Sequence, residues 1–269
     1  MTSNSTGREA ILRYVFFHGG RALKVGLFIP CYVDAFFPEV GVATLELLER
    51  LGVEVRYPLD QTCCGQPMAN SGCEDDAAGA EKLFVRNFAG FDYIVTPSGS
   101  CAHHVRKHLT AVPQGARTKK VRKHTYELVE FIHDVLLVRE FPWAKFPHKV
   151  GLHIGCATLR GLHAAVPSEL GGAGHSKPLA LLSRVKDIQF AAPARPDECC
   201  GFGGTFSMFE EPVSAKMGYD KVADHKNAGA EYIVSQDMSC LMHQKGCAER
   251  LGLPLKFIHI AQVLNGARA

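Results

Sequence analysis

Ten cysteines are the residues of this sequence best suited to do chemistry. Eight of them form two sets, each with one cysteine, then an adjacent pair, then another: Cys31, Cys63, Cys64 and Cys101, followed by Cys156, Cys199, Cys200 and Cys240. A structural zinc ion or an iron–sulfur cluster takes four thiolates from a protein. Glycine follows each adjacent pair and allows the backbone to approach a bulky ligand closely. Each set is therefore a candidate metal site.

The spacing of the cysteines favours an iron–sulfur cluster over zinc. Structural zinc sites usually present two cysteines separated by two to four residues, and neither set contains such a pair. Adjacent cysteines reach a single ion only with strain, whereas a cluster offers them different irons. Zinc stays open as an alternative, and so does thiol–disulfide chemistry at Cys63–Cys64 or Cys199–Cys200.

Other candidates lie outside the two sets. Cys73 and Cys247 are interpreted as incidental thiols, with a role as a local accessory ligand as the alternative. The following histidines are read either as ordinary core or surface residues or as groups that tune a cluster or carry a proton: His103, His104, His133 and His259.

The elements that must position the cysteines are repeated too. The matching blocks, first half against second, are 25–31 with 150–156, 62–65 with 198–201, 93–101 with 232–240, and 131–133 with 257–259. Short apolar runs at 25–29, 93–95, 150–154 and 232–234 predict buried parallel strands. Helical spacing predicts helices over 39–51, 75–88, 175–184 and 211–229, and residues 53–55 predict a further strand.

This alternation predicts an α/β fold made of two similar halves from an internal duplication. Each half has a small parallel sheet flanked by helices, and its cysteines fall at the carboxyl ends of strands, where such folds bind ligands. A proline-containing segment at 141–147 marks the boundary. The predicted division is an N-terminal extension over 1–23, a first cysteine-rich domain over 24–147 and a second over 148–269.

Composition excludes several classes of protein. A chain of 269 residues with 46% hydrophobic residues buries a core without the disulfides that a mini-protein needs. A net charge of +3 gives no indication of nucleic-acid binding. Neither a secretory signal nor a membrane-spanning run is recognisable, so we expect a cytoplasmic protein with reduced thiols.

Long stretches around both cysteine sets resemble the cysteine-rich CCG-domain family, from about residue 24 to residue 264. These stretches are 31–44, 61–67, 96–101, 199–206 and 237–242. The family includes a cysteine-rich subunit of heterodisulfide reductase and the iron–sulfur subunit of glycolate oxidase. Within it, the sequence is most similar to the lactate-utilisation protein A group.

The resemblance implies an iron–sulfur electron-transfer subunit of a multi-protein system that oxidises L-lactate to pyruvate. It implies the eight cysteines as ligands of one cluster per half, of the 4Fe–4S type, with zinc possible in one half. The implied partners are an iron–sulfur protein with ferredoxin domains and a third component, with at most peripheral membrane association through them. A zinc-stabilised scaffold and a thiol–disulfide oxidoreductase of the heterodisulfide type are the alternatives.

Two positions depart from the family pattern, which ends each half in Cys-x-x-Cys. Ser98 and Asp237 stand where that pattern has its first cysteine. Each half thus has four of five expected thiolates, which still suffice for a 4Fe–4S cluster. Asp237 is read either as a carboxylate ligand or as the cap of the helix that follows it, and Ser98 as a cap or turn residue.

Overall fold

The computed structural model describes residues 23–171 and 174–267, and within them the chain forms two parallel four-stranded sheets. The first sheet has the order β2-β1-β3-β4 and consists of β1 (Lys24–Leu27), β2 (Glu54–Arg56), β3 (Tyr93–Thr96) and β4 (Thr125–Glu127). The second has the order β6-β5-β7-β8 and consists of β5 (Lys149–His153), β6 (Gln189–Phe190), β7 (Tyr232–Ser235) and β8 (Lys256–His259). The predicted duplicated α/β fold is confirmed. The predicted extension lies, apart from residue 23, outside the described residues.

Helices connect the strands in the same order in both halves. The first half has α1 (Cys31–Phe36), α2 (Pro38–Arg50), α3 (Gln66–Asn70), α4 (Ala78–Phe88), α5 (Gly99–His108), α6 (Ala116–Lys123) and α7 (Leu128–Glu130), which continues into a π turn (Phe131–Val135). The second half has a π turn (Ala157–Gly161), α8 (Lys177–Leu182), α9 (Phe206–Phe209), α10 (Glu211–Asn227), α11 (Met238–Arg250) and α12 (Ile260–Asn265). Short 3₁₀ turns lie at Glu74–Ala77 and Ser168–Leu170.

Strand pairing shows which residues of the two halves correspond. Thr96 pairs with Glu127 across β3 and β4, and Ser235 pairs with His259 across β7 and β8. Glu127 is thus the counterpart of His259. The expected match between 131–133 and 257–259 is wrong, because Phe131–Val135 is a π turn while the second block lies in a strand. A Phe-Ile pair fits a buried face in either conformation, so the sequence match did not reveal the difference.

The two halves share a hydrophobic core. A single cluster of buried side chains extends from Val25 and Leu47 in the first half to Ile233 and Leu264 in the second. At the edge of this cluster Asn265 donates a hydrogen bond from Nδ2 to Glu46 Oε2 at 2.7 Å.

The boundary segment 141–147 belongs to this packing. Phe141 and Phe146 are buried, and Trp143 Nε1 donates to the Leu264 carbonyl oxygen at 2.9 Å. The segment therefore joins the halves as part of the core.

No helix among the described residues has the length and apolar character needed to cross a lipid bilayer.

Candidate metal centres

The first cysteine set lies at the carboxyl ends of the first sheet's strands. Cys31 begins α1 after β1, Cys63 and Cys64 lie in the loop between β2 and α3, and Cys101 lies in the first turn of α5 after β3. The Sγ atoms of Cys31 and Cys63 are 4.0 Å apart, and those of Cys64 and Cys101 are 3.5 Å apart. A hydrogen bond between the Cys63 and Cys64 thiols links the two pairs into one group. Parallel topology thus brings together four thiols that are far apart in the sequence.

The second set repeats this arrangement. Cys156 contacts Cys199, the thiols of Cys199 and Cys200 are hydrogen-bonded, and Cys200 contacts Cys240. All eight cysteines expected as ligands are therefore grouped by the fold as the sequence groups them.

The glycine after each cysteine pair has a specific backbone role. Gly65 adopts a φ of 96° and Gly201 a φ of 91°, in the left-handed region that favours glycine. In this conformation each amide donates to the first sulfur of the pair, Cys63 or Cys199, at 3.4 Å. The loops thus direct an N–H group at a sulfur that carries negative charge.

One thiol in each set has a pKa far below the usual value and ionises readily. Hydrogen bonds from the neighbouring thiols and from the Gly65 amide lower the pKa of Cys63 to about 2. The same arrangement lowers the pKa of Cys199 to about 2. Donation to these sulfurs, together with burial, raises the pKa of Cys31 and Cys156 well above the usual range of a thiol. Because metals bind thiolates, a metal at either site would displace the remaining thiol protons.

Each thiol group reaches from the surface into the core. Cys31 and Cys156 are exposed, whereas Cys64 and Cys200 are buried. A bound metal centre would therefore have one edge at the surface and the rest enclosed by protein.

A histidine lies one helical turn after the last cysteine of each set. His104 follows Cys101 in α5, and His243 follows Cys240 in α11. His104 is buried with its Nε2 3.9 Å from Glu81 Oε1, and burial lowers its pKa to about 4. His243 has Nε2 3.2 Å from the Ser214 carbonyl oxygen, and burial lowers its pKa as well. His243 was not among the residues predicted from the sequence, although the repeated Cys-x-x-His spacing marks it.

A second histidine that was not predicted lies within the second thiol group. One ring nitrogen of His153 and the Sγ atoms of Cys200 and Cys240 all lie within 4.8 Å of one another. His153 ends β5 at the position that Phe28 occupies after β1, so the comparison of the two copies is the signal that reveals it.

Ser98 and Asp237 meet each other between the two halves. Ser98 Oγ accepts from the Cys101 amide at 3.3 Å, so it caps α5, and it donates to Asp237 Oδ1 at 2.7 Å. Asp237 also accepts from the Ser100 amide at 3.2 Å and from Thr158 Oγ1 at 3.2 Å. The expected capping of its own helix is wrong: in the described structure the Asp237 carboxylate makes no cap bond to α11 and binds the amino end of α5 in the other half.

The remaining candidates lie apart from the thiol groups. Cys73 is exposed, and Cys247 is buried in the shared core with its Sγ 3.8 Å from His243 Nε2. His133 pairs with Asp134 at 2.6 Å, and His259 Nδ1 accepts from the Ala261 amide at 3.1 Å at the start of α12. His103 packs against Gly161 of the other half, where a β-carbon would meet its ring.

Comparison with known proteins agrees with this duplicated arrangement. The profile of the Cysteine-rich domain, CCG, matches residues 25–106 and 150–245, once in each half. The chain belongs to the CCG cysteine-rich domain family. The two matches of this CCG protein together include all eight converging cysteines, with four in each match.

Relatives in the CCG family match nearly the whole chain. Lactate utilization protein A of Geobacillus kaustophilus is 40% identical over 247 residues, which cover 90% of this chain and 99% of the relative. The proteins of the same name from Anoxybacillus flavithermus and Bacillus thuringiensis are each 41% identical, and each alignment covers 90% of this chain and 99% of the relative. Among solved structures, LsrB from Clostridium saccharobutylicum in complex with AI-2 aligns with a TM-score of 0.30 at 15% identity, covering 88% of this chain and 70% of that one.

Proposed function

We propose that the chain is an iron–sulfur electron-transfer subunit of a multi-protein system that oxidises L-lactate to pyruvate. The observation that carries this proposal is the convergence of four thiols at the strand ends of each half. The lactate-utilisation role rests on relatives about 40% identical that are named lactate utilization protein A. We keep the division into 24–147 and 148–269 within this proposal, with one centre in each half.

The donors present fit an iron–sulfur cluster. In the first half the ligands would be Cys31, Cys63, Cys64 and Cys101, and in the second Cys156, Cys199, Cys200 and Cys240. Adjacent thiols suit different irons, and the Gly65 and Gly201 amides already donate to sulfur, which is one of the interactions that set a cluster's reduction potential. A bound 4Fe–4S cluster supplies reversible one-electron transfer. The chain's own residues hold it, shield its inner side and leave its outer edge accessible.

Partner subunits would dock at these outer edges. Cys31 and Cys156 are the exposed members of their groups, so electrons would enter and leave beside them. The proposed partners are an iron–sulfur protein with ferredoxin domains and a third lactate-utilisation component. We place the assembly in the cytoplasm, where thiols stay reduced until they bind metal.

Cysteine variants test which thiols hold a cluster. The full-length protein is reconstituted anaerobically with iron and sulfide, and electron paramagnetic resonance is recorded after reduction. We expect Cys64→Ser to lose the signal of one centre and Cys200→Ser that of the other. Cys73→Ser, at an exposed thiol outside both groups, is the matched control and should keep both signals. Retention of both signals in Cys64→Ser and Cys200→Ser would contradict the ligand assignment.

Zinc is the second candidate, and one observation favours it in the second half. His153, Cys200 and Cys240 form a mixed nitrogen and sulfur donor set of the kind that structural zinc uses. Zinc in both halves would make the chain a scaffold for its partners, without electron transfer. Metal analysis of anaerobically purified protein separates the two functions.

A further inference from the structure

The two halves differ in chemistry directly behind the thiol groups. In the first half Phe28 follows β1 and packs edge-on against Phe84 and Phe88, with ring centroids 4.9 Å and 5.8 Å apart. These rings form an apolar cluster that includes Cys64 and Cys101. The thiols of the first half therefore have aromatic rings at the position equivalent to His153, and the buried His104 and Glu81 lie beside the Cys63–Cys64 pair.

In the second half the same position carries a nitrogen donor. His153 replaces Phe28 and is 1% exposed, and its ring lies within 4.8 Å of the sulfurs of Cys200 and Cys240. Within the described residues neither of its ring nitrogens has a hydrogen-bond partner. A buried imidazole without partners is costly, because it loses its hydration and gains nothing in return. A ligand for one nitrogen would remove part of that cost.

The residues that pack beside His153 are also more polar than those beside Phe28. Alternate residues of a strand face the same side, so Gly151 and His153 face the same layer, as Gly26 and Phe28 do. The side chains over Gly26 are Phe88 and Phe91, whereas the side chain over Gly151 is His225. The aromatic rings of the first half are thus replaced by polar groups in the second.

The polar layer continues along α10. Lys221, one helical turn before His225, is fully buried and donates from Nζ to the carbonyl oxygens of Arg195 and Pro196 at 2.9 Å. Its ammonium group places positive charge near Cys200, which suits an anionic centre bound there.

We propose that His153 is a nitrogen ligand of the metal bound in the second half and takes the place of one of that half's four thiolates, so that this centre has mixed imidazole and thiolate ligation. The inference rests on the proposed function for the presence of a metal but does not depend on which metal it is. The first half has Phe28 in this place, so thiolates would hold its metal. The two centres would therefore be chemically distinct, and where the second is an iron–sulfur cluster a neutral imidazole ligand would give it a higher reduction potential than thiolates alone.

The test uses the full-length protein labelled with ¹⁵N-histidine and its unlabelled equivalent. One sample is reconstituted anaerobically with iron and sulfide and then reduced, and a parallel sample is loaded with Co²⁺ alone. Pulsed electron paramagnetic resonance then measures the hyperfine coupling of nitrogen to the metal. We expect a directly coordinated nitrogen whose coupling changes with the isotope.

Variants assign that nitrogen to one residue. His153→Phe, which copies the first half, should lose the coupling and shift the midpoint potential of one centre. His243→Phe is the matched control, because His243 lies near Cys199 but has Nε2 occupied by the Ser214 carbonyl oxygen. It should keep the coupling.

Loaded wild-type protein without a coordinated histidine nitrogen, or loss of the coupling in His243→Phe alone, would overturn the assignment. A nitrogen coupling with Co²⁺ in protein that takes up no iron or sulfide supports His153 as a ligand while the proposed redox function fails. Iron–sulfur signals without histidine coupling support the proposed redox function, while the assignment of His153 as a ligand fails.

Discussion

Glu127 is a buried acidic residue whose pKa differs strongly from that of an exposed glutamate. It is fully buried at the end of β4 and accepts hydrogen bonds at Oε2 from the Val129 amide at 2.9 Å and from Gln236 Nε2 at 2.6 Å. Burial nevertheless raises its pKa from 4.5 to about 8. The folded protein therefore retains a proton that the unfolded chain releases at lower pH.

This shift predicts how stability depends on pH. Between pH 4.5 and about 8 the folded state binds more protons than the unfolded state at this residue, so its contribution to stability falls as pH rises. The slope has an upper limit of about 1.4 kcal/mol per pH unit. Glu127→Gln should flatten this part of the profile measured by urea unfolding, whereas Glu54→Gln at a partly exposed position in β2 should not. An unchanged profile in Glu127→Gln would contradict the role given to this carboxyl group.

At the residue scale the sequence predicted the eight grouped cysteines and His104 beside the first set, but not His153, His225 or His243 near the second. Paired cysteines with neighbouring glycines are recognisable in the amino-acid sequence alone. His153 and His225 stand in positions where an apolar residue would be equally ordinary, and only the second sheet brings them behind the thiols. Proximity in space, which depends on strand order, is the information that the sequence lacked.

At the scale of elements, Asp237 joins the amino ends of two helices. Its carboxylate accepts from Ser98 Oγ just before α5, from the Ser100 amide in the first turn of α5, and from Thr158 Oγ1 in the π turn of its own half. Asp237→Ala leaves these donors buried without an acceptor, and we expect a loss of about 3 kcal/mol in the free energy of unfolding. Asp237→Asn, which keeps one carbonyl oxygen, should lose less. Equal stability of Asp237→Ala and wild type in urea would contradict this role between the two halves.

Close packing between α5 and the same π turn gives a second prediction. A β-carbon at Gly99 would lie 1.7 Å from Thr158 Oγ1, so Gly99→Ala must push the two elements apart. We expect a loss of about 2 kcal/mol, as for other overpacked positions. Gly79→Ala in α4 is the control, because a β-carbon there meets nothing within 4 Å and alanine favours a helix. The melting temperature of Gly79→Ala should equal or exceed that of wild type, and the melting temperature of Gly99→Ala should be lower. The opposite order would contradict close packing between Gly99 and Thr158.

The elements themselves were predictable where periodicity was strong. The predicted helix over 39–51 is α2, and the strands at both CCG motifs are present with small shifts of their ends. The predicted helix over 75–88 begins instead as a 3₁₀ turn at Glu74–Ala77. The fourth repeat block was wrong because Phe-Ile-His has no periodicity that distinguishes a strand from a helical turn.

At the scale of the molecule, the two halves share one core and should unfold together. Val25 and Leu47 belong to the same buried cluster as Ile233 and Leu264. Metal bound only to the folded state stabilises it by mass action. Anaerobic metal removal should therefore lower the melting temperature. Calorimetry should still show a single unfolding transition for the two halves together. Two separate transitions, each sensitive to the cysteines of one half, would contradict a common core.

The duplication was visible in the sequence, but the interface between the copies was not. Ser98 and Asp237 looked like isolated departures from a cysteine pattern, yet they occupy equivalent positions and bind each other across the interface. Similarly, the proline-containing segment 141–147 has the composition of a linker, while its phenylalanines are buried in the shared core. Both features depend on how the copies pack, which the repeat alone does not determine.

The central claim is that each half holds an iron–sulfur cluster. The most direct measurement is the amount of iron and acid-labile sulfide per chain in protein purified without exposure to oxygen. We predict brown protein with about eight irons and eight sulfides, four of each per half. Colourless protein that contains only zinc, and takes up no iron or sulfide on anaerobic reconstitution, would contradict the claim.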